Sequence, residues 1–253
     1  MCLLVFAWQT ATARPLVLAG NRDEFHDRPA APADWWEGGR IVGGRDLRAG
    51  GTWLAAARDG RFAVVTNYRE PMAEGRGPRS RGELVTGFLR GDAGPRAWAR
   101  QVAQRHADYA GFNLLLGAPD ELVYLSNRGR GPEVLAPGVY GLSNHLLDTP
   151  WPKLARTRAR FARLLEQGAD TSALLDMLAD RAPAEEAELP DTGLPPEWER
   201  LLSSPFITDL RYGTRCSTVL RLTPGGAMEL TERGFDAAGA AVHERRFEFA
   251  LES

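Results

Sequence analysis

The chain is poor in cysteine and lacks long apolar runs: of 253 residues two are cysteine, Cys2 and Cys216. Two cysteines do not make a disulfide framework, and a reducing cytoplasmic compartment is expected. The opening residues MCLLVFAWQ carry no basic flank and too short an apolar run for a signal peptide or a membrane helix. Neither export nor an integral membrane segment is therefore expected. Excess charge of one sign is also absent. A formal net charge of -2, with acidic and basic residues interleaved, argues against nucleic-acid or anionic-membrane partners. His26, His106, His145 and His243 are scattered, with no H-E-x-x-H and no paired cysteines, so no dedicated metal site is expected. No C-x-x-C-H occurs, which removes covalent haem attachment. The glycine-rich stretch 43 to 51 lacks the lysine and hydroxyl of a phosphate loop and reads as an irregular turn carrying Trp53.

What is present starts at the second residue. Removal of Met1, common when a small residue follows, leaves Cys2 with a thiol and a free α-amine in one residue. Such an amine has a reference pKa of roughly 7.7 to 8.0 and takes the thiol proton directly or through one water. The plainer alternative is a small apolar residue opening a buried strand.

Residues 2 to 9 and 15 to 20 are apolar runs separated by Thr10 to Arg14, which predicts a β-hairpin. Further strands are expected at 51 to 57, 61 to 67, 112 to 117, 121 to 126, 216 to 222, 227 to 231 and 242 to 249, with a strand-like approach at 137 to 142. Helical periodicity covers 81 to 90, 95 to 107, 151 to 167 and 171 to 178. Strands, two helices, strands, two helices, strands is an α+β order, with antiparallel layers packed on helices. The proline- and acid-rich stretch 181 to 197 reads as a surface excursion within one domain spanning 1 to 253.

Several polar groups fall at strand ends. The second run ends in GNRDEF at 20 to 25. A hairpin returns this end beside the chain start, so Arg22 and Asp23 come within reach of Cys2. There Arg22 favours the thiolate, which is expected below the free-cysteine value of about 8.5, and Asp23 orients the amine. Asn67 and Asn144 are candidate oxyanion donors, or else turn residues. Arg215 precedes a late strand and either binds a carboxylate or supports the nucleophile. Trp35 and Trp36, read as lying in a loop between Asp34 and Glu37, either cover an apolar ligand or cap the sheet.

The motifs Met1-Cys2, GNRDEF at 20 to 25, GGRDLRAGGTWLA at 43 to 55, TNYREP at 66 to 71, SNH at 143 to 145 and YGTR at 212 to 215 occur in this order. Together they resemble the NRDE family, also called the transport and Golgi organization protein 2 family. More distantly the chain is similar to cysteine N-terminal-nucleophile hydrolases. The resemblance implies a four-layered αββα sandwich of two antiparallel sheets. It also implies Cys2 as nucleophile, Arg22 and Asp23 at the second strand's end, Asn67 and Asn144 at the oxyanion, and Arg215 as the late arginine. NRDE spaces Arg22 and Asp23 unlike the usual hydrolase pattern, and Glu24 has no hydrolase counterpart. Substrate contacts are expected from Trp35, Trp36, Trp53, Tyr68 and His145.

Two functions follow as expectations. One is hydrolysis or transfer at a carbon-nitrogen amide or a thioester, with no cofactor required and a small-molecule amide, thioester or apolar ligand as partner. The other, from the family's links with haem handling and acyl-coenzyme A metabolism, is a carrier for haem or acyl-coenzyme A. In that reading His26, His145 or Cys2 ligates haem reversibly.

Overall fold

The computed structural model describes residues 2–11, 14–70 and 77–252. Met1, residues 12 and 13 of the expected turn, and Pro71 of TNYREP lie outside them.

Numbered along the chain, the strands are β1 (Cys2–Ala11), β2 (Arg14–Phe25), β3 (Ala30–Trp35), β4 (Ile41–Asp46), β5 (Leu54–Ala57), β6 (Phe62–Asn67), β7 (Phe112–Gly117), β8 (Leu122–Ser126), β9 (Glu133–Val134), β10 (Gly138–Leu142), β11 (Tyr212–Leu222), β12 (Ala227–Phe235) and β13 (Ala241–Ala250). They form two antiparallel sheets, ordered β10-β1-β2-β11-β12-β13 and β3-β4-β5-β6-β7-β8-β9. The helices are α1 (Gly82–Arg90), α2 (Pro95–Gln104), α3 (Pro152–Glu166), α4 (Thr171–Leu178) and α5 (Pro196–Leu201).

The alternation of side chains along β1 shows how the layers form. Cys2, Leu4, Phe6 and Trp8 point between the sheets, while Leu3, Val5 and Ala7 point to α3 and α4. Both faces of this strand are covered, so its sequence is a continuous apolar run and not an alternation. Each fully buried side chain such as Phe6 contributes roughly 1.5–3 kcal/mol. A matching layer joins α1 and α2 to the outer face of the second sheet through Val65, Leu84, Phe88, Val102 and Leu114. The result is the expected αββα order. Among the described residues no helix is long and apolar enough to cross a membrane.

Three local expectations are corrected. Strand β2 does not stop at Gly20 but runs to Phe25, because Asp23, Glu24 and Phe25 continue the backbone ladder with Thr214, Gly213 and Tyr212. Ladder bonds are made by the backbone, so a polar side chain does not end a strand that has a partner on that side. The stretch 43 to 51 is not one irregular turn: Ile41–Asp46 is β4, and only the residues after it turn, with Gly50 at φ 73°. Trp35 is not in a loop but closes β3, paired with Val42. Within the expected excursion, α5 carries the buried Glu199 inward.

Candidate active site

The site forms where the first sheet's three central strands end together. In the ladder Cys2 of β1 lies opposite Arg22 of β2, and Arg22 lies opposite Cys216 of β11. Strands are spaced about 4.8 Å apart, so the two cysteines stand on the order of 10 Å from each other, too far for a disulfide. Both are free.

Asn144 follows β10 with φ 58°, the left-handed conformation that asparagine tolerates better than most residues. This turn aims its amide at Cys2. The Cys2 nitrogen donates to Asn144 Oδ1 at 3.3 Å, and Asn144 Nδ2 donates to Asn67 Oδ1 at 2.9 Å and to the Asn67 carbonyl at 3.1 Å. Asn67 Oδ1 is used in this way, and Asn67 itself lines the cleft. Cys2, Arg22, Asp23, Trp53, Asn67 and Arg215 line one cleft of about 620 Å³, within the range of small-molecule sites. Asn144 stands behind Cys2 and Asn67, fully buried.

Four residues expected to contact substrate do not line this cleft. Trp35 packs on Phe247 and Phe249, with the Arg58 guanidinium 4.2 Å above its ring. Trp36 is buried in the outer layer and donates to the Gly43 carbonyl at 2.8 Å. Tyr68 and His145 stack on each other with ring centroids 4.8 Å apart, and His145 Nδ1 meets Thr149 Oγ1 at 2.8 Å. His26 Nε2 lies 3.0 Å from the Asp209 carbonyl.

The cleft also has walls that sequence reasoning missed. Arg28, Arg45, Arg79 and Arg81 join Arg22 and Arg215 along it, against Glu24, Asp46 and Glu232. Glu24 stands 3.9 Å from Arg22 and 3.7 Å from Arg28, which gives the fourth letter of the motif a place between two cations. Arg215 Nη1 donates to the carbonyls of Phe25, His26 and Arg28 and so ties down the turn after β2. Arg28, Arg45, Arg79 and Arg81 form no run in the sequence and were not singled out there.

Beneath the cleft, on the helical face of the first sheet, lies a second polar group. Asp23 Oδ1 accepts from Thr214 Oγ1 at 2.8 Å, and Tyr212 Oη donates to the Asp23 carbonyl at 3.0 Å. Arg69 and Glu199 form a buried pair at 2.7 Å, and the Arg69 nitrogen donates to the Asn144 carbonyl. Lys153 of α3 is 2% exposed in the same layer. A polar residue on the apolar stripe of a helix was its one visible signal.

Burial dominates the electrostatics. It pushes the Cys2 thiol up, against the weaker pull of Arg22, so the expectation of a thiolate favoured by that arginine is corrected. Burial raises Cys216 well above its ordinary value. It also raises Asp23, whose strongest opposing influence is Lys153, and lowers Lys153 to about 8. Arg81 is lowered by burial as well.

Comparison with known proteins adds the family. The family model described as Transport and Golgi organisation 2 matches residues 1–237. The Transport and Golgi organization protein 2 homolog of Bos taurus is 38% identical, over 92% of each chain. That of Homo sapiens is 36% identical over 100% of each. The Drosophila melanogaster protein is 27% identical, covering 94% of this chain and 95% of its own. Among solved structures the chain is similar to an N-acylethanolamine-hydrolyzing acid amidase ortholog of Caenorhabditis elegans at 14% identity and TM-score 0.38, covering 88% of this chain and 93% of that one. It is similar also to a mutant conjugated bile acid hydrolase of Clostridium perfringens at 8% identity and TM-score 0.39, covering 99% and 98%. With the family model matched along most of its length and two mammalian relatives above a third identical over nearly all of it, the chain belongs to the Transport and Golgi organisation 2 family.

Proposed function

We propose that the chain is a cysteine N-terminal-nucleophile acyl-transfer enzyme that cleaves a carbon-nitrogen amide or a thioester. One observation carries the reading: the Cys2 nitrogen, Asn144 and Asn67 form a hydrogen-bonded chain at the wall of the cleft that Cys2 lines. Once Met1 is removed, the nitrogen held by Asn144 is the α-amine. The thiol proton passes to it as Sγ attacks the substrate carbonyl carbon, and the carbonyl electron pair moves onto oxygen, toward Asn67 Nδ2. The tetrahedral species then expels the amine or thiol leaving group, which takes the proton from the ammonium. Water attacks the acyl thioester by the same path and restores Cys2.

Intact-mass analysis should show loss of one methionine in active protein. Cys2→Ala should abolish turnover across an amide and thioester panel while the fold is kept. Asn67→Ala should lower turnover on the order of 100-fold to 1000-fold. Turnover by Cys2→Ala, or activity confined to protein that keeps Met1, defeats the reading.

The six arginines along the cleft support a second reading, a carrier that holds an anionic ligand such as haem or acyl-coenzyme A without turnover. His26 and His145 stand off the cleft, so of the three expected haem ligands Cys2 alone fits. Saturable haem binding whose absorbance spectrum changes in Cys2→Ala, with no turnover across the panel, selects the carrier.

A further inference from the structure

Asn67 and Asn144 come from different sheets, Asn67 from the end of β6 in the second and Asn144 from the turn after β10 in the first. Their contact therefore depends on how the two sheets are fixed to each other at this end. The turn itself is strained: Asn144 and Asp148 both adopt a left-handed backbone, with φ of 58° and 57°. Such conformations persist only where the surroundings hold them. Asp148 is held by its own sheet. Its nitrogen donates to the Gly141 carbonyl at 2.8 Å, and its Oδ1 accepts from the Gly141 nitrogen and from Arg158 Nη1, each at 2.7 Å. Leu147, between the two strained residues, is held from the other sheet.

A chain of polar side chains crosses the second sheet to reach it. Thr66 of β6, Asn113 of β7 and Tyr124 of β8 are all buried, on the face that Phe62, Val64, Leu115 and Leu122 turn toward the first sheet. The Leu147 nitrogen, which can only donate, gives its hydrogen to Tyr124 Oη at 3.1 Å. Tyr124 Oη donates to Asn113 Oδ1 at 2.8 Å, and Asn113 Nδ2 donates to Thr66 Oγ1 at 3.3 Å. Thr66 precedes Asn67 and lines the cleft, and Leu147 lies three residues past Asn144. The chain thus joins, by a second path, the same two segments that the Asn144–Asn67 contact joins. Buried polar groups are costly unless hydrogen-bonded, and apolar residues at 113 and 124 would fill this layer without that demand. What they would not do is hold Leu147. Burial pushes Tyr124 up to about 12, so its hydroxyl keeps the proton that it donates.

Resting on the acyl-transfer reading, we propose that Tyr124 is a positioning residue of that site: its hydroxyl, reaching from the second sheet, fixes the turn whose Asn144 holds the Cys2 nitrogen. Tyr124 does not line the cleft, so it acts through the turn and not on a substrate. The contact it protects has little to spare. At 3.3 Å the bond from the Cys2 nitrogen to Asn144 Oδ1 is already long, and a small drift of the turn breaks it. The amine would then lose the orientation in which it takes the thiol proton, while the cleft that binds substrate keeps its walls.

In the native protein, NMR should show a nuclear Overhauser contact between the Leu147 amide proton and the Tyr124 ring protons beside the hydroxyl. Its absence overturns the proposal with no variant needed. Tyr124→Phe loses one oxygen and keeps the ring. Against the amide or thioester of the panel that the native protein turns over fastest, this variant should lower kcat on the order of 10-fold and leave KM in place. A raised KM with kcat unchanged, or no change in either, overturns the proposal. In the same variant, hydrogen exchange at the Arg69 amide, which the Asn144 carbonyl holds, should quicken on the order of 10-fold while the amides of β1 and β2 keep their protection. Equal quickening everywhere is a loss of global stability only and overturns it. In an Asn144→Ala background, Tyr124→Phe should change the residual turnover by less than about twofold, because the tyrosine acts through that asparagine. A second loss as large as the first overturns it. The two readings fail separately. No turnover across the panel, with Arg69 exchange still quickened in Tyr124→Phe, defeats only the enzyme, whereas native turnover that Tyr124→Phe leaves unchanged defeats only this inference.

Discussion

The smallest unit of this site is a side chain forced into an unfavourable place by its neighbours. Asn144 accepts a left-handed backbone and full burial because its amide is used at both ends, by the Cys2 nitrogen and by Asn67. Arg69 accepts burial because Glu199 reaches it from α5, while Thr192 donates through its nitrogen at 2.9 Å to the same carboxylate. Breaking one side of such a pair leaves an uncompensated buried charge. Glu199→Ala should therefore destabilise the protein by about 3–5 kcal/mol, measured by urea unfolding. A loss below about 1 kcal/mol, the value for an exposed pair, would show that Arg69 finds water in its place. The same variant loosens Asn144, whose carbonyl is held by the Arg69 nitrogen.

At the scale of elements, β2 matters most. Its neighbours β1 and β11 put a cysteine on either side of Arg22, and its alternation sends Arg22 and Glu24 to the cleft while Asn21 and Asp23 turn toward the helical side, Asp23 still bordering the cleft. Four consecutive polar residues thus serve two faces. The Asn21 amide donates to the carbonyls of Leu178 and Pro205, each at 2.9 Å, which ties α4 and the approach to β11 to this strand. A second element is set by a close backbone approach. A Cβ on Gly51 would meet the Gly82 backbone at 2.6 Å, where α1 begins beside the cleft residue Arg81. Gly51→Ala should cost about 1–3 kcal/mol by overpacking, with a lower thermal midpoint. An unchanged midpoint would mean that α1 shifts without penalty.

At the scale of the whole molecule, Cys2, Asp23, Lys153 and Cys216 are buried where ionisation is resisted, and the dependence of stability on pH follows. Cys2 and Cys216 are raised by burial, so above about pH 8.5 the unfolded thiols release protons that the folded ones keep. Stability from this source falls as pH rises. Lys153, lowered to about 8, acts in the opposite sense: between pH 8 and about 10.4 the unfolded lysine holds a proton that the folded one has lost, so stability rises there. With both thiols raised against one lysine lowered, the thiols' loss of stability above about pH 8.5 is opposed in part by Lys153. Chemical denaturation above about pH 8.5 should show stability falling more steeply with pH in the native sequence than in Cys216→Ala. An equal slope in both would mean that Cys216 ionises freely in the folded state.

By itself the sequence determined the pattern of layers and the identity of the nucleophile candidate. Apolar runs at 2 to 9, 61 to 67 and 112 to 117 and the four helical stripes are local signals, since each residue's periodicity is written in its neighbours. The ordered motifs from GNRDEF to YGTR likewise carried the family. The tertiary structure alone decided where β2 ends, because that depends on β11, which lies some 190 positions later in the chain. It alone decided that Trp35, Trp36, Tyr68 and His145 stand off the cleft that Trp53 lines. It alone brought Arg28 and Arg81 to the cleft that Cys2 lines, and buried Glu199 against Arg69. Whether an arginine faces solvent or a cleft, and whether a thiol is pulled down by a cation or pushed up by burial, is set by the environment that packing creates, and no local stretch of the chain contains that environment.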